Sequence, residues 1–383
     1  MDRDLQEKLM LYKEIVKKIS VGVEKKLKQK EYLKKGSFEV IDQGQPLIGG
    51  YSNDSSLVVK CDLPVVIFGD HTKCVKFIDF PFIAGADGVK ILQAKDGVDS
   101  KYLYYYTLLL TKKMVDKGYA RHYQFLEKME VGIPSLSEQK RIVNKIEELF
   151  SELDSAVETL KKTKEQLAVY RQSVLKEAFS LRANKNDLGD YIKNIESGKS
   201  FKCVETPPQK KEFGIIKVSS VTWGKFNENE SKTCKPEQFL ESKRVCKGDF
   251  LFGRANTLQL IGACVIVDDI EKNLMLSDKI LRIHFLSTIK KEYVLFFLRS
   301  IMGKKQIQDF STGNQESMRN IGQDRIRKIQ IPVPSLKEQE KIVQDIKSKL
   351  SACENIEKTV NDALMQADAM RQSILKKAFD GSL

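Results

Sequence analysis

Apolar side chains recur at alternating steps of four and three along one stretch of the chain: Ile142, Ile146, Leu149, Leu153, Ala156, Leu160, Thr163, Leu167, Tyr170 and Val174, with Thr163 the one polar exception. That spacing is a heptad seam, and no glycine or proline interrupts residues 137–179, so it predicts a long helix of coiled-coil type. Two hundred residues later the same places hold Ile342, Ile346, Lys349, Cys353, Ile356, Val360, Ala363, Ala367, Met370 and Ile374, a weaker seam over an equally uninterrupted stretch. At about 1.5 Å per residue each helix runs roughly 65 Å. A helix of that length needs a partner along it, and the nearest candidate is the other copy. Val143, Phe150, Val157, Val343, Leu350 and Leu364 lie outside the seam and leave apolar surface for something further.

The two stretches are a repeat. Residues 134–179 and 334–379 align without a gap, with 18 of 46 positions identical. Each opens Pro-Ser-Leu-x-Glu-Gln (Pro134 to Gln139, Pro334 to Gln339) and closes Arg-Gln-Ser-[Val/Ile]-Leu-Lys-x-Ala-Phe (Arg171 to Phe179, Arg371 to Phe379). Ser135-x-x-Glu138 and Ser335-x-x-Glu338 read as capping boxes. The fold expected is α+β: a head at 1–133, a long helix at 134–181, a second head at 182–333 and a second long helix at 334–383, the mixed α/β heads joined by an antiparallel coiled coil.

Within the heads the period changes. Val58–Cys61 and Val65–Phe68 read as strands, with turns at Gly49-Gly50, Gly69-Asp70 and Ala84–Gly88 and a helix at about 100–117. The order recurs in the second head. Val245–Arg254 resembles Leu63–His71, Met275–Ile283 resembles Phe82–Leu92, and Glu292–Phe297 matches the aromatic-rich helix beginning Lys101-Tyr102. The starts differ. Residues 3–19 read as a basic amphipathic helix followed by a lysine-rich connector to Lys35, whereas the second head opens with Leu188–Ile192 and a strand.

Charge sharpens the division of labour. The formal net charge of the 383 residues is +13. Residues 134–181 and 334–383 each hold 8 basic and 8 acidic residues, net 0, while 1–133 hold 22 and 18, net +4, and 182–333 hold 27 and 18, net +9. The positive excess sits entirely in the heads, where a polyanion would be attracted. Seven scattered cysteines without a CxxC pair indicate neither a disulfide framework nor a zinc site. No apolar run is long enough to span a bilayer and the start is charged, so a cytoplasmic protein is expected.

Catalytic motifs are wanting. Gly198-Lys199-Ser200 ends like a phosphate loop, but Lys193 stands where the upstream glycine is required. The three histidines, His71, His122 and His284, form no triad or metal-ligand spacing. The loops instead carry side chains suited to base edges, Arg and Lys for guanine and Asn and Gln for adenine. Such clusters are Gln43-Gly44-Gln45, Asp70-His71-Thr72-Lys73, Lys217–Trp223, Arg254–Thr257 and Thr312–Gln315.

The paired helix motifs, with Phe68-Gly69-Asp70-His71-Thr72, Ile48-Gly49-Gly50-Tyr51, Glu196–Phe201 and Val218–Trp223, resemble the specificity subunit of type I restriction–modification enzymes over almost the whole chain. The resemblance implies a non-catalytic DNA-binding subunit whose two target recognition domains each read one half of a split, asymmetric site. DNA contacts are then expected from Gln43, Gln45, Tyr51, Asp70, His71, Thr72 and Lys73 in the first head. In the second they are expected from Lys199, Lys217, Ser219, Ser220, Thr222, Arg254, Asn256, Asn314, Gln315 and Arg319. It also implies that the helices lie antiparallel, space the heads and dock two methyltransferase subunits, through Glu138, Gln139, Arg171, Gln172, Phe179, Glu338, Gln339, Arg371, Gln372 and Phe379. The chain itself would take no cofactor or metal. S-adenosylmethionine, ATP and magnesium would belong to the methyltransferase and restriction–translocase subunits. A two-headed protein-binding adaptor on a coiled-coil scaffold is the alternative from another class.

Overall fold

The structure, a computed structural model, describes residues 8–115, 120–180 and 185–383, apart from the side chains of Lys8 and Asn314. It divides into two compact units, residues 1–161 with 361–383, and residues 162–360. Two helices of 44 residues, Leu136–Phe179 and Leu336–Phe379, match the repeat. Each unit therefore holds one head, the opening part of one long helix and the closing part of the other.

The heads share a strand plan. In the first, an antiparallel sheet runs in the order Val16–Ile19, Val89–Ala94, Val65–Gly69, Val75–Ile78. A three-stranded sheet sets Phe38–Ile41 between antiparallel Gly50–Ser52 and parallel Phe82–Ala84. The second head repeats both, as Ile192–Ser197, Ile280–Phe285, Phe250–Gly253, Cys264–Ile266 and as Phe213–Ile216 between Ser231–Cys234 and Asn273–Met275. Each head also closes on a two-stranded ribbon, Lys8–Leu11 with Glu130–Ile133 and Lys185–Asp187 with Gln330–Pro332.

The central strand of each four-stranded sheet is buried on both faces, which is why it reads as an unbroken apolar run. Val65 and Ile67 join Ile41, Phe82 and Val89, while Val66 and Phe68 join Leu92, Leu103 and Leu110, the last two on the Ser100–Lys113 helix. Leu251 likewise joins Ile216, Val265 and Leu274, and Phe250 and Phe252 join Leu281, Ile283 and Phe297.

The basic N-terminal helix expected at 3–19 is not what forms. Residues 1–7 lie outside those described, and 8–19 make strand, one helical turn at Tyr12–Ile15, and strand. Tyr12, Ile15 and Val16 fit a helical period, but both flanking segments are taken up as sheet by Glu130–Ile133 and Val89–Ala94. Sheet pairing overrides the local period. The first head thus has the same opening as the second, where Lys185–Asp187, a 3-10 turn at Leu188–Tyr191 and Ile192–Ser197 follow in the same order.

Half of the helix seam stands where it is expected, with Ile142, Ile146, Leu153, Leu167, Val174, Ile346, Cys353, Val360 and Ala367 buried, and the alternate positions are turned by one residue. Ala156, Tyr170, Lys349, Ile356 and Met370 are exposed, and the inward positions are Phe150, Val157, Arg171, Leu350, Glu357 and Arg371. Arginines can hold such positions because carboxylates face them. Arg171 Nη2 donates to Glu357 Oε2 at 2.6 Å in one unit, and Arg371 Nη2 to Asp154 in the other. Both helix starts carry the serine cap, with Glu138 N and Glu338 N donating to Ser135 and Ser335 Oγ at 3.4 Å. The second closes the box, with Ser335 N donating back to Glu338 Oε2 at 3.0 Å.

Candidate nucleic-acid interface

In both heads the loops at one end of the sheets hang on the residue that follows a strand-end glycine. Asp70 N donates to Gly88 O at 2.7 Å, and Asp70 O accepts from His122 N at 2.8 Å. Arg254 N donates to Lys279 O at 3.0 Å, and Arg254 O accepts from Ile321 N at 2.9 Å. The backbone clamp is the same in the two heads and the side chain it carries is opposite in sign.

In the first head the clamp gathers four of the expected residues. Gln43 Oε1 accepts from His71 N at 3.2 Å, Thr72 Oγ1 donates to Gln43 O at 2.7 Å, and Lys73 takes a left-handed φ of 57° that turns the loop. Gly88, at φ 76°, lets the Gln43 amide and the His71 ring approach its backbone, where a Cβ would stand 2.9 Å from each. Gln45 is exposed on the same loop. Tyr51 is apart from them, on an edge strand lining a shallow groove with Gln29, Tyr32 and Lys34. Asp70 is a correction: it is 3% exposed, paired with Lys90 at 3.1 Å and accepting from Tyr123 N at 2.9 Å. Its carboxylate is spent holding the loop rather than facing a ligand.

In the second head Lys217, Ser219, Thr222 and Asn256 come together on a cavity of about 550 Å³. Ser200, Ser277, Asp278 and Lys279 share its lining, and the sequence reading missed them. The signal was present, because Met275–Ile283 echoes the segment that carries Gly88. Lys199 is exposed beside Ser200, whose hydroxyl is bound to Asp278. Ser220 is a further correction: it is fully buried and donates to Lys217 O at 2.6 Å. Arg254 Nε reaches Asn320 Oδ1 at 3.4 Å. Gln315 and Arg319 lie on a hairpin that pairs with Ala255–Asn256 and has no counterpart in sheet among the described residues of the first head. Arg319 is largely spent on that hairpin, donating to Ser311 O at 2.7 Å and Gly313 O at 2.8 Å. Asn314's side chain lies outside the described residues.

Behind this surface the second head carries an ion cluster. Arg282, 8% exposed, donates to Glu196 Oε2 at 2.8 Å and Asp249 Oδ2 at 3.0 Å, and His284 Nε2 lies 2.8 Å from Glu196 Oε1. Partial burial would raise the Glu196 carboxyl, but Arg282, His284 and Lys243 outweigh it and hold it down at about 2. These side chains join the strands Ile192–Ser197 and Ile280–Phe285 to the Lys243–Asp249 turn, a structural use of charge.

The expected docking residues separate into two kinds. Gln139 and Gln339 are fully buried, and both serve their own head. Gln139 Oε1 accepts from Asp99 N at 2.7 Å while its amide donates to Gly97 O and Pro134 O at 2.9 and 2.8 Å. Gln339 Oε1 accepts from Lys290 N at 2.8 Å and its amide donates to Pro334 O at 2.9 Å. Each fixes the residue that precedes the neighbouring helix to the long helix, which leaves the amides nothing for a partner. Phe179 packs edge-on to Tyr293 and Phe297, and Phe379 stacks on Tyr106 at 4.5 Å. Glu138 and Glu338 sit at the helix starts. Arg371 and Gln372, with Tyr104, Phe150 and Asp154, line a groove of about 710 Å³ in the first unit.

The family model described as "Type I restriction modification DNA specificity domain" matches this chain twice, at residues 12–168 and 188–366. The EcoKI specificity subunit of Escherichia coli K12 is 28% identical over 276 residues, 67% of this chain and 58% of that protein. The EcoR124I/EcoR124II specificity subunit of E. coli is 22% identical over 339 residues, 83% of this chain and 80% of the relative. The chain spans 58% of the EcoKI and EcoBI subunits and 33% of the EcoEI subunit. The HsdS subunit from Thermoanaerobacter tengcongensis has the same fold, with a TM-score of 0.55 over 98% of this chain and 97% of that one at 16% identity. A chain from a structure of type I R-M complex assembly and conformational transition aligns at TM-score 0.70 over 98% of both, at 15% identity. Two family domains, one on each head and its adjoining helix, therefore make this chain a member of the type I restriction modification DNA specificity family.

Proposed function

We propose that the chain is the DNA-specificity subunit of a type I restriction–modification system, working in the cytoplasm and without catalysis of its own. Each head reads one half of a bipartite duplex site, with lysines and arginines on phosphates and loop side chains on base edges. His71, Thr72, Lys73, Gln43 and Gln45 serve the first half-site. Lys199, Lys217, Ser219, Thr222, Arg254, Asn256 and Gln315 serve the second. The neutral helices set the unread spacer and dock two methyltransferase subunits through the groove at Arg371 and Gln372 and its counterpart at Arg171 and Gln172. The methyltransferases supply the S-adenosylmethionine chemistry, and restriction subunits supply ATP- and magnesium-dependent translocation and cleavage.

The observation that carries this reading is the pairing of one backbone clamp with two different loop surfaces, in heads that hold all of the positive excess. Specific DNA affinity of the full chain should fall steeply and linearly in log–log form with added salt. Binding that ignores salt would instead favour a protein-binding adaptor.

A further inference from the structure

The cavity of the second head has a form that reading of groove edges does not require. Its floor is apolar, with Ile215 and Ile216 buried and Phe201, Cys203 and Leu260 around them. Polar groups stand at its wall. Ser277 is 6% exposed, and its hydroxyl finds no hydrogen-bond partner among the described residues. Asn256 uses Oδ1 on Thr257 N at 2.8 Å, which leaves its amide protons available. Lysines mark the rim. Lys217 and Lys232 are held by Glu205 at 3.4 and 2.6 Å, while the exposed Lys279 ammonium makes no ion pair among the described residues.

The first head closes the matching space. Val204 bridges to Thr233 as Leu33 bridges to Tyr51, so Cys203 and Tyr32 precede equivalent contacts. Tyr32 fills its site: a Cβ at Gly50 would strike the base of its ring and one at Gly85 its hydroxyl. Burial, with Asp42 beside it, pushes that phenol up to about 12. One head is plugged by its own aromatic ring, and the other leaves a ring-sized space.

We infer that the second-head cavity binds a nucleobase, ring on the Phe201–Ile216 floor and polar edge on Ser277 and Asn256, with its phosphate on Lys279. A volume of about 550 Å³ lies within the roughly 300–1,000 Å³ of small-molecule sites. The nucleotide has two possible sources, one rotated out of the bound duplex or a free mononucleotide. Only the first rests on the DNA-reading proposal. Rotating a base out costs a few kcal/mol of stacking and pairing, which an apolar floor with polar groups at the base edge offsets.

The test uses the full chain without methyltransferase partners. 2-Aminopurine is placed one position at a time along the half-site that the second head selects, and AMP, GMP, CMP and TMP are titrated separately by calorimetry. Cys203→Tyr refills the cavity as Tyr32 does, and Lys279→Glu reverses the rim charge without touching the core. A several-fold rise in emission at one position, abolished by Cys203→Tyr and reduced by Lys279→Glu, supports the inference with DNA as the source. Saturable mononucleotide binding with the same sensitivity, and no emission change, supports it with the free nucleotide as the source. If Cys203→Tyr fails to fold, Lys279→Glu decides alone. Absence of both signals, or signals that survive the folded variants, overturns the inference. Sequence-selective binding to unlabelled duplex is scored independently, so a chain that selects DNA without either signal refutes the cavity while leaving the DNA reading intact.

Discussion

Asp70 and Arg254 occupy one place in two copies of a fold, and they do different things there. The first is buried and turned inward to Lys90 and Tyr123, whereas the second is half-buried with a guanidinium lightly held by Asn320. The clamp that holds them is made of backbone N–H and C=O groups, so it is indifferent to the side chain. One scaffold thereby carries two different loop surfaces: the sheets and the clamp are specified by buried apolar strands, and the loop residues are left free to differ. The cost is that a residue's place in the loop does not reveal its role, since only burial and partners separate Asp70 from Arg254.

The largest effects should come from what the two heads have in common. Gln139→Ala and Gln339→Ala each strand the N–H of a helix N-cap residue and a carbonyl of the long helix's own start, so each should cost about 2–4 kcal/mol. Denaturant unfolding followed with a probe in each unit should show the loss in the unit carrying the substitution. Equal loss in both units would show that the amide does not act locally.

A feature of the second head alone comes next. Glu196→Gln leaves Arg282 with Asp249 as its remaining carboxylate partner and should destabilise that unit by about 2–3 kcal/mol at neutral pH. Glu196 is held near 2 in the fold against an ordinary 4.5, so its contribution is present above about pH 4.5 and is lost as pH falls towards 2. The wild-type advantage over the variant should therefore shrink across that window in urea titrations. An advantage independent of pH would remove the carboxylate from the account.

The smallest expected effect separates the clamp from the side chain it carries. Arg254→Ala should relax base preference in one half-site only, by about 1–3 kcal/mol in selection on randomised duplex, and leave the other half-site unchanged. Uniform weakening across all sequences would make Arg254 a phosphate contact.

Much of this was legible in the chain. The repeat, the long helices and the doubly buried strands at 65–69 and 250–253 follow from period and apolar runs, which record burial directly. Residues 8–19 misled because one turn flanked by two short strands mimics a helical period when Tyr12, Ile15 and Val16 all face the core. Every second seam position was placed one residue off because Arg171 and Arg371 look like surface positions until Glu357 and Asp154 are seen to meet them. At the candidate site the loop segments were found, but Asp70 and Ser220 could not be told from ligand-facing residues. The burial of Asp70 is set by segments far away in sequence, at Tyr123 and Lys90, and Ser220 is turned back onto Lys217 O by a local turn. Lys279 and Ser277 were missed although Met275–Ile283 echoes Phe82–Leu92, because the echo marks a shared strand and their place on the cavity depends on sheet pairing.

The central claim is that two heads on one scaffold read two halves of a single DNA site. Methylome sequencing of cells with and without the chain tests it most directly. The account predicts an asymmetric motif in two parts, separated by an unread spacer of fixed length and methylated only when the chain is present. Methylation that does not depend on the chain, or a motif that is contiguous, would contradict it.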